Sequence, residues 1–129
     1  MSVTNITIAI VDITIQNNQT FNFAFAFGLE SDLSWSFDDQ TLYMDIKSDA
    51  ADETPFMSYS SESGGGILIL DSATRSIQFD VSDDELRAAL PPDTYRHDLI
   101  MVDNNTGDTV PLWKGSFKVE EGVTKKPEP

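Results

Sequence analysis

The chain has 129 residues, about one domain on a prior of about 150 residues per domain, and its 40% hydrophobic and 10% aromatic content suffices for one core. Eight Lys and Arg against 22 Asp and Glu leave a net charge of −14, which disfavours nucleic-acid phosphates and anionic membrane surfaces, since both demand a basic patch. Cysteine is absent, excluding disulfides, thiolate metal sites and a Cys nucleophile, and no apolar run approaches the roughly 18–20 residues of a membrane-spanning helix.

Residues 3–16 are rich in Thr, Ile and Val and contain no Pro or Gly. Ile6, Ile8 and Ile10 share one parity while Val11, Ile13 and Ile15 share the other, so the apolar face switches sides near Val11. A bulge, a tight bend or a strand buried on both faces would each explain the switch. Apolar on both faces, the segment reads as an adhesive edge strand, and these six residues are the candidate docking residues. It is expected to pair at the sandwich edge or to add to a neighbour's sheet, so that a chain lacking residues 1–16 still folds but no longer assembles.

Phe21, Phe23, Phe25 and Phe27 alternate with Asn22, Ala24 and Ala26, the period-two signature of a strand with one face in a core. Leu33, Trp35 and Phe37, then Leu42, Met44 and Ile46, continue the pattern across a turn at Asp38, Asp39 and Gln40. Residues 48–66 read as a long loop holding at most a short strand at 56–59, and strands follow at 67–70 and 77–81. Ser82 and Glu85 have capping-box spacing, predicting a short helix through Ala89 that Pro91 and Pro92 end. Two strands follow, at about 95–102 and 110–119, joined by a hairpin turn at 103–108, and Gly115 inside the last suggests a bulge or bend. The pattern predicts an all-β antiparallel sandwich of the immunoglobulin-like kind with one short helix, a single domain over residues 1–124, and a polar tail at 125–129.

Residues for chemistry are sparse, and the sequence predicts no catalytic residue, no metal site and no bound cofactor. His97 is the lone histidine and lies within a strand, where a structural role outweighs zinc binding, because no second His or Cys can complete a ligand set. No G-x-S-x-G elbow is present, and the pairs Asp38/Asp39 and Asp83/Asp84 suit a turn and a helix start. The turn at 103–108 departs from a calcium loop, since Gly107 occupies the fifth position and Lys114 the twelfth. A carbohydrate-binding or adhesin-like module is the rival from a different class, with Trp113 or Trp35 as a stacking ring.

In the stretch LPPDTYRHDL, residues 90–99, Tyr95 resembles the corner tyrosine of immunoglobulin-like and fibronectin-type sandwiches, whose hydroxyl bonds back to the connecting loop. The wider run 90–124, with Tyr95, Asp98-Leu99, Gly107, Gly115 and Val123-Thr124, resembles the end of small β-sandwich proteins and N-terminal modules of bacteriophage virions, among them baseplate and tail-fibre attachment domains. The resemblance implies a non-enzymatic virion structural protein that docks on other virion proteins, and a homo-oligomer within the particle is expected; with no membrane run and no positive cluster or small-residue cleavage site at the start, synthesis in the host cytoplasm is expected. Tyr95, Trp113 and Gly115 are its structural positions. The sequence ends five residues after Thr124, which favours a stand-alone adaptor at baseplate, tail or neck, or a capsid decoration protein. The expectation for charge is an acidic shell that docks on cationic patches of neighbouring subunits.

Overall fold

The computed structural model describes residues 9–27, 37–49, 54–71 and 75–124. Among the described residues period-two alternation produces nine strands: β1 (Ala9–Ile10), β2 (Ile13–Gln16), β3 (Ala24–Ala26), β4 (Gln40–Lys47), β5 (Met57–Ser60), β6 (Ile67–Asp71), β7 (Ser76–Phe79), β8 (Asp93–Asp103) and β9 (Thr109–Glu120). One helix, α1 (Asp83–Ala89), starts where Ser82 accepts the Glu85 N–H at 3.2 Å and stops at Leu90, before the two prolines. The larger sheet runs β1-β9-β8-β4-β5 with β2 also on β9, and the smaller runs β3-β7-β6. The fold is an all-β, sandwich-like pair of sheets with one short helix. Residues 1–8 and the predicted tail at 125–129 lie outside the described residues, as do Leu33 and Trp35 of the second predicted strand.

The two inner faces meet in an aromatic layer. From the smaller sheet and its approach come Phe21, Phe25, Phe27 and Phe79, and from the larger come Tyr59, Trp113 and Phe117. Phe25 and Phe27 sit 4.7 Å and 5.7 Å from the Trp113 ring, and Phe21 lies 4.7 Å from Phe79 and 5.4 Å from Phe117, spacings at which aromatic pairs add to simple area burial. Leu42, Met44, Ile46, Leu99 and Met101 fill the rest, and Leu86 and Leu90 close one end from the helix side. All four alternating phenylalanines pack into or against this core, yet only residues 24–26 form ladder; Phe21 joins Val81 through an isolated bridge.

The predicted kink in the last strand is displaced. The register between β8 and β9 shifts where Leu99 faces Trp113 and Ile100 faces Pro111, so the extra residue is Leu112 and not Gly115. The bulge lets two consecutive residues, Leu112 and Trp113, both point inward, and it reverses the parity of the strand around them. The chain enters β8 through the Tyr95 hydroxyl, which donates to the Pro91 carbonyl and ties the strand to the loop that follows α1.

The N-terminal strand is the other departure. β1 and β2 both run parallel to β9, Ala9 opposite Trp113 and Ile13 opposite Phe117, in one unbroken register. No residue is inserted at the parity switch. Ile13 and Ile15 are 3% and 1% exposed and belong to the core, whereas Ile10 is 65% exposed. Of the candidate docking residues, therefore, Ile13 and Ile15 are committed to the interior, Val11 is half-buried, Ile10 alone is presented outward, and Ile6 and Ile8 lie outside the described residues. A chain lacking 1–16 forfeits two buried isoleucines at about 2 kcal/mol each, against an ordinary domain stability of about 5–15 kcal/mol, so loss of stability replaces the expectation that the remainder folds unharmed.

Beyond β2, buried Asn17 ties three segments together. Its side-chain nitrogen donates to Glu121 Oε2 at 2.6 Å, its side-chain oxygen accepts the Gly122 N–H at 2.9 Å, and its carbonyl accepts from Arg87 of α1 at 3.1 Å. The Asn18 amide reaches the Thr124 carbonyl, so the exit from β9 is held by the residues that end β2. Removing the Tyr95 hydroxyl alone, as Tyr95→Phe, is expected to cost about 1 kcal/mol without altering the fold, read as a lower urea midpoint at unchanged slope.

Candidate functional site

His97, the one residue with an obvious catalytic repertoire, is 4% exposed and points inward from β8. In the sheet it forms a row with Gly115 on β9 and Ile46 on β4, and the constant parallel register brings Val11 beside Gly115. A Cβ at Gly115 would collide with the Val11 carbonyl, so glycine leaves the space that this carbonyl occupies. The His97 Nε2 lies 2.8 Å from that carbonyl oxygen, and the Trp113 indole N–H donates to Nδ1 at 3.2 Å. An indole can only donate, so Nδ1 is bare and Nε2 carries the proton that Val11 accepts. Both ring nitrogens are thereby occupied in joining the N-terminal strand to the core.

The diverted carbonyl explains the gap between β1 and β2. In a parallel ladder Val11 would donate to Lys114 and then accept from Ser116. The first bond is present at 2.9 Å. For the second, the Asp12 carboxylate replaces the missing carbonyl, taking the Ser116 N–H at 3.0 Å and the Ser116 hydroxyl at 3.1 Å. The same two bonds hold the Asp12 carboxyl below its ordinary pKa. Burial pushes the His97 imidazole below its ordinary value, and a proton on Nδ1 would also face the indole N–H donor.

The calcium-like turn is a closed hairpin. Asp103 Oδ1 accepts the N–H groups of Asn105 and Thr106 at 2.8 Å and 3.2 Å, which lowers its pKa, and Gly107 takes a φ of 80° that few other residues tolerate. Among the described residues no group of three or more His, Asp or Glu could hold a metal ion. Trp113, named as a stacking ring for sugars, is 2% exposed and unavailable to a surface ligand.

Among the described residues two unlike surface regions stand out. The outer face of the larger sheet presents Lys47, Arg96, Lys114 and Lys118, four of the eight cations in the chain, interleaved with Asp12, Asp45, Asp98 and Glu120. Two shallow depressions flank Arg96 and Asp98 on this face. Asp49 lines one of them as well, so the expected acidic shell is interrupted on this face by four cations set among its acids, and further acids among the described residues lie on turns, helix and strand ends.

The second region is β6, an edge of the smaller sheet among the described strands, where Leu68, Ile69 and Leu70 are 47%, 37% and 54% exposed. Beside it runs a depression lined by residues 61–69 and Asp80, including Glu62 and no basic side chain. An apolar row at a sheet edge was anticipated, but at the N-terminus; the ILIL run was readable in sequence as a strand, and only the strand order shows that it lies at an edge among the described strands. No protein-family model matches the chain, and no curated protein matches it.

The His97 arrangement gives a pH dependence whose sign is fixed. The unfolded chain binds a proton at an ordinary histidine near 6.5 while the folded one resists it, so stability is full above that value and falls as pH drops below it. Calorimetry is expected to show the melting temperature falling between pH 7.5 and 5, ahead of the acid loss contributed by Asp12 and Asp103. His97→Gln is expected to flatten that interval while lowering stability by about 2–3 kcal/mol, because Gln cannot satisfy both partners. Gly115→Ala is expected to cost about 3 kcal/mol by forcing the Val11 carbonyl out, seen as faster hydrogen exchange at the amides of Ile13 and Ile15.

Proposed function

We propose that the chain is a non-enzymatic structural protein of a bacteriophage virion that docks on other virion proteins, as a baseplate, tail or neck adaptor or a fibre-attachment module. The observation that carries the docking reading is the apolar strand β6, an edge among the described strands, in a chain of net charge −14, since an uncharged row of Leu-Ile-Leu at a sheet edge is a template for pairing that soluble proteins otherwise blunt. The engagement of both His97 nitrogens in holding the fold supports the non-enzymatic part, because it removes the one imidazole from general acid–base work. The virion setting rests on the likeness of residues 90–124 to phage attachment modules, in which Tyr95 and Gly115 take structural parts.

A decoration protein of the phage head would use the same kind of contact at a different copy number. Quantitative mass spectrometry of purified particles is expected to find the chain as a stoichiometric component. A few copies per particle indicate a baseplate or neck, and a count matched to the capsid lattice indicates head decoration. Particles that lack the chain altogether overturn the reading.

A further inference from the structure

We propose that β6 is a strand-addition site whose occupant is an extended segment of another protein, apolar in its middle and carrying Lys or Arg at its ends; the inference rests on the docking reading and names the partner chemistry of that edge.

The backbone is the first reason. The Gly66 carbonyl accepts the Asp80 N–H at 2.9 Å, and Ile67, Leu68 and Ile69 pair antiparallel with Phe79, Gln78 and Ile77. Antiparallel bonding alternates, so Gly66 and Leu68 turn their N–H and C=O groups to β7 while Ile67 and Ile69 turn theirs away from it. Upstream the edge is closed, because the Ser60 N–H donates to the Gly65 carbonyl at 2.8 Å and Ser60 bridges Gly66. Downstream a register irregularity falls between Ile69 and Asp71. The open stretch is therefore short and centred on Ile69, long enough for one added strand and interrupted before it can template an indefinite stack.

Charge chooses the occupant. Asp71 stands at one end of the open edge, and Glu62 and Asp80 line the depression at the other. A second copy paired antiparallel about Ile69 would set its own Asp71 opposite Ile67, next to Glu62 and Asp80, placing acid against acid at both ends. A segment with basic ends meets an acid at each, and an apolar centre covers Leu68 and Leu70.

The test uses the full chain and fluorescein-labelled heptapeptides. The probe is Lys-Thr-Val-Thr-Val-Thr-Lys, with controls bearing Glu at both ends or N-methyl groups on the three threonines, whose N–H groups face β6 when the valines cover Leu68 and Leu70. Anisotropy is expected to show binding by the Lys-ended probe, about tenfold weaker for the Glu-ended one, and lost for the N-methylated one. Amide NMR shifts should centre on residues 67–71. The double variant Leu68→Thr, Leu70→Thr keeps strand-forming residues and should retain its circular dichroism spectrum while losing the probe. If that variant unfolds, the N-methylated control still decides. Three results overturn the proposal: no binding, equal binding of Lys-ended and Glu-ended probes, or shifts centred elsewhere. Self-association that the double variant abolishes would give the edge to a second copy and equally overturn it. Undiminished incorporation of the double variant into particles would sink this edge while leaving the virion reading intact; absence of the unmodified chain from particles would sink the latter alone.

Discussion

The carbonyl of Val11 is the point on which the N-terminal half of the larger sheet depends. Turned out of its ladder, it enters the space left by Gly115 and meets His97 Nε2, while Asp12 supplies the oxygen that Ser116 would otherwise lack. One backbone group thus changes partner without leaving any donor unsatisfied, which is the condition for burying it. Because Trp113 fixes the other nitrogen of the imidazole, the exchange is also tied to the aromatic layer between the sheets. A perturbation at Gly115, His97 or Trp113 is transmitted to the same strand.

A parallel first strand on a last strand has a further consequence. It brings the end of β2 and the exit from β9 to the same end of the sheet, where buried Asn17 holds Glu121, Gly122 and, through Arg87, the short helix. Segments more than a hundred positions apart in sequence are closed into one unit by hydrogen bonds of one amide side chain to a carboxylate and a backbone N–H, with one guanidinium on its carbonyl. Contacts of such separation slow folding, since loop-closure entropy is spent before they contribute.

Acidity and docking surface are spatially divided. Half of the cations sit on the outer face of the larger sheet among its acids, and among the described residues further acids lie on turns, at the start of α1 and at the rims of β6. Long-range repulsion keeps like chains apart, whereas the apolar strip of β6 is uncharged along its length and acidic only at its margins. A strip of that kind favours partners whose charge is opposite and localised, and selectivity follows from the ends of the contact more than from its centre.

Local pattern alone settled most of the strands, the all-β class, the cap at Ser82 and the hairpin at 103–108, because alternation and turn chemistry act between residues near in sequence. The sequence also marked Val11 as the site of a parity switch and Gly115 as unusual, without connecting them. Only the tertiary structure made them one feature, since their juxtaposition depends on a parallel register between strands about a hundred residues apart. The same reason governs the edges. Residues 10–15 and the ILIL run of β6 both read as apolar strands, and strand order buries Ile13 and Ile15 while leaving Leu68 to Leu70 exposed. Hydrophobic pattern specifies that a strand will seek partners; which strand is left with an open edge is decided by the closure of the whole sheet.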